Sequence, residues 1–191
     1  IPPAAAKTGA LGDPAIVEAV AALAAGFPFP LVVDPVMISK HGAPLIAEEA
    51  RNALLTRLLP CARLVTPNLH EAAALAGIAV DSRESMIEAA RRIHEATGAS
   101  VLVKGGHLSG DALDVLLHAG VVYDYSAPRT ETAHTHGTGC TYSAAITAAL
   151  ALGCDLPSAV ARGKAFITRA IQTNPGLGRG SGPVNHHAPA E

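Results

Sequence analysis

The three cysteines, Cys61, Cys140 and Cys154, are odd in number and form no CxxC pair. That argues against a secreted disulfide scaffold and favours a reducing compartment, so a cytoplasmic location is expected. Charge of one sign is lacking too: 14 Lys and Arg stand against 16 Asp and Glu, a net charge of −2. Neither a nucleic-acid partner nor an anionic membrane surface fits that balance. No apolar run is long enough to cross a bilayer, and no stretch reads as a signal peptide. There is no Walker A GxxxxGK[ST], and no dinucleotide fingerprint follows a strand. No internal repeat, charge block or linker divides the chain, and 191 residues suit a single domain. The chain opens on Ile1 rather than methionine, so its start is expected to be a cut, a cleavage or part of something longer.

What is present is alternation. A hydrophobic share of 49% is arranged as short β-branched runs between alanine-rich amphipathic segments. Strands are predicted at residues 31–34, 63–66 and 100–104, preceded by helices over about 14–25, 47–58 and 82–97. Asp13 before Pro14 starts the first helix and Gly26 ends it. Asp81 with Glu84 predicts a capping box for the third, which Gly98 stops. Residues 113–117 and 121–125, joined through Ala119-Gly120, predict a hairpin, and helices over about 140–152 and 157–173 precede a glycine-rich tail. Such alternation with continuously apolar strands implies an α/β fold, its mainly parallel sheet covered on both faces. Ligands of these sheets sit beyond the carboxyl ends of the strands. The residues to watch are therefore Asp34, Thr66 to Glu71, and Lys104 to His107.

The sharpest motif is His134-Thr135-His136-Gly137-Thr138-Gly139-Cys140-Thr141, leading directly into an apolar helix. Gly137, Thr138 and Gly139 would aim successive backbone N–H groups at one point, where the helix N-terminus adds partial positive charge. That suits a phosphoryl group in transfer, although a plain glycine-rich lead into a helix reads similarly. Cys140, in the first turn, has a thiolate stabilised by the helix dipole and placed to take a proton from a hydroxyl attacking ATP. Cys61 and Cys154 read as inert cysteines. Asn68 and Glu71, three apart, are either an N-cap with an exposed glutamate or an amide and carboxylate ordering Mg²⁺ around ATP phosphates. Asp34 would be a second carboxylate aimed at the same place. Lys104 before Gly105-Gly106 is either a solvated strand end or a cation for phosphate oxygens. The tail, with glycines at 176, 178, 180 and 182, is either disordered or a loop that closes beside a nucleotide base. His134, His136 and Cys140, or His186 with His187, match no standard structural zinc spacing.

These pieces, in this order, resemble the ribokinase-like superfamily and, within it, the hydroxymethylpyrimidine/phosphomethylpyrimidine kinases. The resemblance is carried by Asp34-Pro35-Val36-Met37, Thr66-Pro67-Asn68 with Glu71, Val103-Lys104-Gly105-Gly106-His107, Thr135 to Cys140, and Gly178-Arg179-Gly180 with Gly182 to His186. It implies a three-layer α/β/α fold and ATP-dependent phosphorylation of 4-amino-5-hydroxymethyl-2-methylpyrimidine and its monophosphate, in thiamine diphosphate biosynthesis. Cys140 stands where most of the superfamily has an aspartate base. The resemblance further implies Asp34, Asn68 and Glu71 in Mg²⁺ and phosphate roles, with Lys104 and Lys164 toward ATP phosphate. Gly9, Ala10 and Val36 then lie toward the pyrimidine. Mg²⁺ is the expected cofactor, with K⁺ as a second cation the superfamily allows, and a homodimer is an allowed assembly. Two departures stand out. About the first quarter of such a protein, with its opening strands, is absent here, so N-terminal strands are expected to be missing from the sheet. Ala10 also takes a position where methionine is common. Pyridoxal kinase, and a catalytically incompetent nucleotide-binding fragment, are the alternative readings.

Overall fold

The computed structural model describes residues 1–37, 46–106 and 110–189. Its elements are β1 (Ala6–Thr8), α1 (Pro14–Ala24), β2 (Leu31–Val33), α2 (Glu48–Ala53), β3 (Leu64–Val65), α3 (Leu69–Ala76), α4 (Arg83–Thr97), β4 (Ser100–Lys104), β5 (Ala112–His118), β6 (Val121–Ala127), α5 (Thr138–Ala151) and α6 (Leu156–Gln172). One six-stranded sheet runs in the order β1-β2-β3-β4-β5-β6. The first four strands are parallel, and β5 and β6 are antiparallel. Ala119 (φ 48°) and Gly120 (φ 76°) form the two-residue hairpin turn, both in the left-handed region that such turns require.

Side-chain alternation along the strands builds two cores. Val32, Leu64, Leu102 and Leu116 face α5 and α6, packing on Ile146, Val160 and Ile167. The neighbouring Leu31, Val33 and Val65 face α1 and residues 54–59, while Val101, Val103, Val115 and Leu117 face α4. Each strand lies beside its predecessor, so right-handed crossovers place α1 to α4 on one side and leave the other to α5 and α6. This is the three-layer α/β/α arrangement, with all of β2 and β3 and most of β4 and β5 buried, while β1 and β6 stay partly exposed at the two ends of the sheet. Each large apolar side chain so buried contributes roughly 1.5–3 kcal/mol.

Local chemistry sets the helix ends. Asp13 Oδ1 accepts the N–H groups of Ala15 and Ile16, and Gly77 (φ 67°) closes α3. The capping box expected from Asp81 and Glu84 forms one residue later: Ser85 N–H donates to Ser82 Oγ, and Ser82 N–H to Ser85 Oγ. A hydroxyl accepts and donates, so the serine pair satisfies both groups without a carboxylate. Two short elements lacked a clear pattern in the sequence: β1, of three residues, and α3, which follows β3 directly. The helix expected over 47–58 is α-helical to Ala53, then winds as a π turn (Leu54–Leu58) and a 3-10 turn (Leu59–Cys61). Pro60 has no N–H to extend the ladder.

Helices α5 and α6 touch most closely at Gly163. A Cβ there would lie 2.7 Å from Ile146 Cγ1 and 3.0 Å from Tyr142 Cε2. Gly163→Ala is therefore expected to lower stability by about 1–3 kcal/mol through overpacking, although alanine is the better helix former by about 1 kcal/mol. Urea denaturation measures it, and an unchanged or raised midpoint would contradict the close approach.

Candidate active site

The four parallel strands end along one edge of the sheet, and the alternation that sends Val32, Leu64 and Leu102 toward α5 sends Asp34, Thr66 and Lys104 the same way, two residues on. Asp34 is 2% exposed, and among the described residues its carboxylate accepts hydrogen bonds from a lysine amine and two hydroxyls. Lys104 Nζ (2.8 Å) and Thr66 Oγ1 (3.1 Å) donate to Oδ1, and Ser143 Oγ (3.2 Å) to Oδ2. A carboxylate this buried is tolerable because a charged amine and two hydroxyls replace its water.

Asn68 caps α3, and Glu71 completes the box. Glu71 N–H donates to Asn68 Oδ1 (2.9 Å), and Asn68 N–H donates to Glu71 Oε2 (2.8 Å). Met37 N–H reaches Glu71 Oε1 at 3.4 Å. Unlike an ordinary cap, Glu71 is 2% exposed. Burial pushes its carboxyl up, against the pull of the Lys104 amine and the Asn68 N–H, and the nearby Asp34 charge pushes the same way as burial. The residues cap the helix, and the carboxylate, expected to be exposed in a plain cap, is instead a buried neighbour of Asp34 and Lys104.

Helix α5 begins at the same edge. Its N-cap is Gly137 (φ 80°), with no side chain capping it, whereas α1, α3, α4 and α6 are each capped by a side chain. Thr138 N–H makes a long bond to Thr135 O (3.4 Å), and no side chain takes the N–H groups of Gly139 and Cys140, which face a ligand or water. A Cβ on Gly139 would lie 3.2 Å from Lys104 Nζ, so the amine and the first turn face one another. Thr138 Oγ1 donates back to Thr135 O (2.8 Å), which fixes the loop. Cys140 is the third residue of the helix and is exposed. Ser143 Oγ lies 3.1 Å from Cys140 O and also reaches Asp34, linking the first turn of α5 to the strand edge.

The remaining sequence candidates divide. Gly9 and Ala10 follow β1 on this edge, half-buried and exposed respectively, and Asp34 N–H donates to Thr8 O at 3.2 Å. Val36 is half-buried just after Asp34, its N–H donating to Asp34 O at 2.8 Å. Lys164 is turned inward: its amine donates to Ala112 O (2.6 Å) and Asp114 Oδ2 (2.7 Å). The tail is ordered against the motif loop. His136 N–H donates to Gly182 O (3.0 Å), Val184 N–H to His136 O (3.3 Å), and Val184 is buried. His186 Nε2 lies 3.0 Å from Thr141 Oγ1, pinning the tail to the first turn of α5. His107 lies outside the described residues. Sequence reasoning passed over Thr66 as a side chain, Ser143 and Asp114. Asp114 was the visible signal, an acid inside the apolar run Leu113 to Leu117. Ser143 is one helical turn beyond Cys140, on the face turned to the sheet.

The family described as phosphomethylpyrimidine kinase matches residues 1–185 of the chain. The chain is 46% identical over 180 residues to the hydroxymethylpyrimidine/phosphomethylpyrimidine kinase of Streptomyces coelicolor, covering 94% of this chain and 67% of that protein. It is likewise 46% identical to the thiamine biosynthesis bifunctional protein ThiED of Geobacter sulfurreducens, over 97% of this chain and 38% of that one. Among solved structures it superposes with a TM-score of 0.90, at 34% identity, on the pyridoxal kinase from Staphylococcus aureus in complex with AMP-PCP and pyridoxal, over 97% of this chain and 68% of that one. The chain thus spans about two thirds of the length of both single-function kinases and well under half of the bifunctional protein. On the strength of both sequence and fold, it belongs to the phosphomethylpyrimidine kinase family.

Proposed function

We propose that this chain carries the phosphoryl-transfer site of a kinase that uses ATP to phosphorylate 4-amino-5-hydroxymethyl-2-methylpyrimidine and then its monophosphate, in the supply of thiamine diphosphate. The observation that carries the reading is the meeting, at one strand edge, of an exposed cysteine, an uncapped helix N-terminus and a lysine amine. In this reading the N–H groups of Gly137, Thr138 and Gly139 receive the γ-phosphoryl oxygens, and Lys104, 3.2 Å from the Cβ position of Gly139, neutralises charge that builds there. The Cys140 thiolate takes the proton of the hydroxymethyl O–H as its oxygen bonds to phosphorus, and ADP leaves. Gly9, Ala10 and Val36 bound the pyrimidine side, and Asn68 orders the metal–phosphate face. Higher identity to pyrimidine kinases than to pyridoxal kinase supports the pyrimidine as substrate.

Asp34 and Glu71 fit Mg²⁺ in chemistry, being hard oxygen donors close enough that the Asp34 charge raises the proton affinity of Glu71. Their oxygens already accept from Lys104, Thr66, Ser143, Asn68 and Met37, so they would hold the ion through its water shell. When bound, Mg²⁺ supplies charge neutralisation at the β- and γ-phosphates.

Two expectations follow from this reading. Cys140→Ala should lower pyrimidine-dependent ADP release by about 10²-fold or more while leaving ATP affinity near that of the parent. Turnover close to the parent in that variant would remove Cys140 from the base role. Glu71→Gln keeps the side chain's size and one acceptor but removes its charge, so the Mg²⁺ concentration giving half-maximal activity should rise. A Mg²⁺ titration superimposable on the parent's would show that Glu71 serves the helix cap alone.

A further inference from the structure

A row of alternating charges runs across the sheet beneath α5 and α6, and the mechanism above uses only half of it. Lys104 pairs with Asp34 on one side, and on the other its backbone is in register with Asp114 of β5. Both side chains stand on the same face. Asp114 is 3% exposed, and its two oxygens are separately engaged. Oδ1 accepts the N–H of Gly105 at 3.0 Å, and Oδ2 accepts Lys164 Nζ at 2.7 Å. Gly105 follows Lys104 directly, and a Cβ there would collide with Leu113 O, so β4 ends tightly against β5. Tyr142 covers the row from the α5 side: it is 3% exposed, and burial first and the neighbouring Asp114 carboxylate next push its hydroxyl's pKa up. Among the described residues Lys164 is the cation that ion-pairs with Asp114.

We infer that Lys164 is a positioning residue for phosphate binding: by neutralising Asp114 it leaves the Lys104 amine free to face Asp34 and the first turn of α5. The inference rests on the kinase reading. A buried carboxylate without its counter-charge draws the nearest mobile cation. Here that cation is Lys104, whose amine already feels the Asp114 charge. Without Lys164, the Lys104 amine is shared between Asp34 and Asp114, which flank it in the row, and is drawn away from the phosphate. Lys164 thereby governs ATP affinity although its own amine is committed to Asp114 and Ala112.

The test compares ATP with adenosine by calorimetry in Lys164→Met, Asp114→Asn and the double variant, with melting curves to confirm folding. Lys164→Met should weaken ATP by about tenfold or more, the scale of one charge-assisted contact, with adenosine unaffected. The double variant has no stranded carboxylate and keeps an acceptor for Gly105 N–H. It should bind ATP to within about threefold of the parent. A direct phosphate contact by Lys164 would leave the double variant as weak as the single one and overturn the inference. Adenosine weakening in step with ATP would do the same, marking a general packing role. Should Lys164→Met fail to fold, the neutral double variant still decides between the two. A parent chain that binds ATP but phosphorylates no pyrimidine sinks the proposed reaction, while the ATP comparison still judges Lys164.

Discussion

Asp34 and Lys104 are 70 positions apart in the chain, yet their side chains meet at 2.8 Å where the middle of the sheet ends. Neither charge would be tolerable alone at that depth, and an unpaired partner left behind would cost roughly 3–5 kcal/mol. The pairing requires β2, β3 and β4 to be parallel and in register, so that three strands deliver Asp34, Thr66 and Lys104 to one line. It also requires α5 to lie over that line, since Ser143 satisfies the second oxygen of Asp34. The helix that covers the sheet and the helix that presents Gly137 to Cys140 are the same helix. Folding the core and assembling the site are one event.

Helix capping differs along the chain, with α2 behind Ala47 and α5 behind Gly137 lacking a side-chain cap. Aspartate, asparagine and serine side chains cap α1, α3, α4 and α6, each accepting one or two of the first-turn N–H groups. At α5 a glycine in the left-handed region takes the cap position and contributes no side-chain oxygen. The resulting concentration of donors is compatible with stability because Lys104 and the helix both favour an anion there, and the tail from Gly182 to His186 holds the loop in place.

Much of this was legible in the sequence because it is local or periodic. Three of the parallel strands, the hairpin and five of the helices follow from apolar spacing and punctuation, and the strand-end rule singled out Asp34, Asn68, Glu71 and Lys104. What periodicity cannot carry is the pairing of side chains across strands. Lys164 is a helix lysine in sequence, and only the register of β4 with β5 reveals that Asp114 stands opposite Lys104 and within reach of it. The burial of Glu71 likewise shows only in three dimensions, where Lys104, Asp34 and Met37 are its neighbours. The strand β1 is three residues long and the helix α3 eight, too short to declare a period.

The sheet's order has a consequence for synthesis. Because each strand pairs with the one made just before it, the sheet can lengthen as the chain leaves the ribosome, and α1 to α4 cover its first face as they emerge. The second face waits. Val32, Leu64, Leu102 and Leu116 have no cover until α5 and α6, the last helices, have been translated. For that interval a nascent chain holds these six strands with one apolar side not yet covered by α5 and α6, a form suited to capture by a holding chaperone.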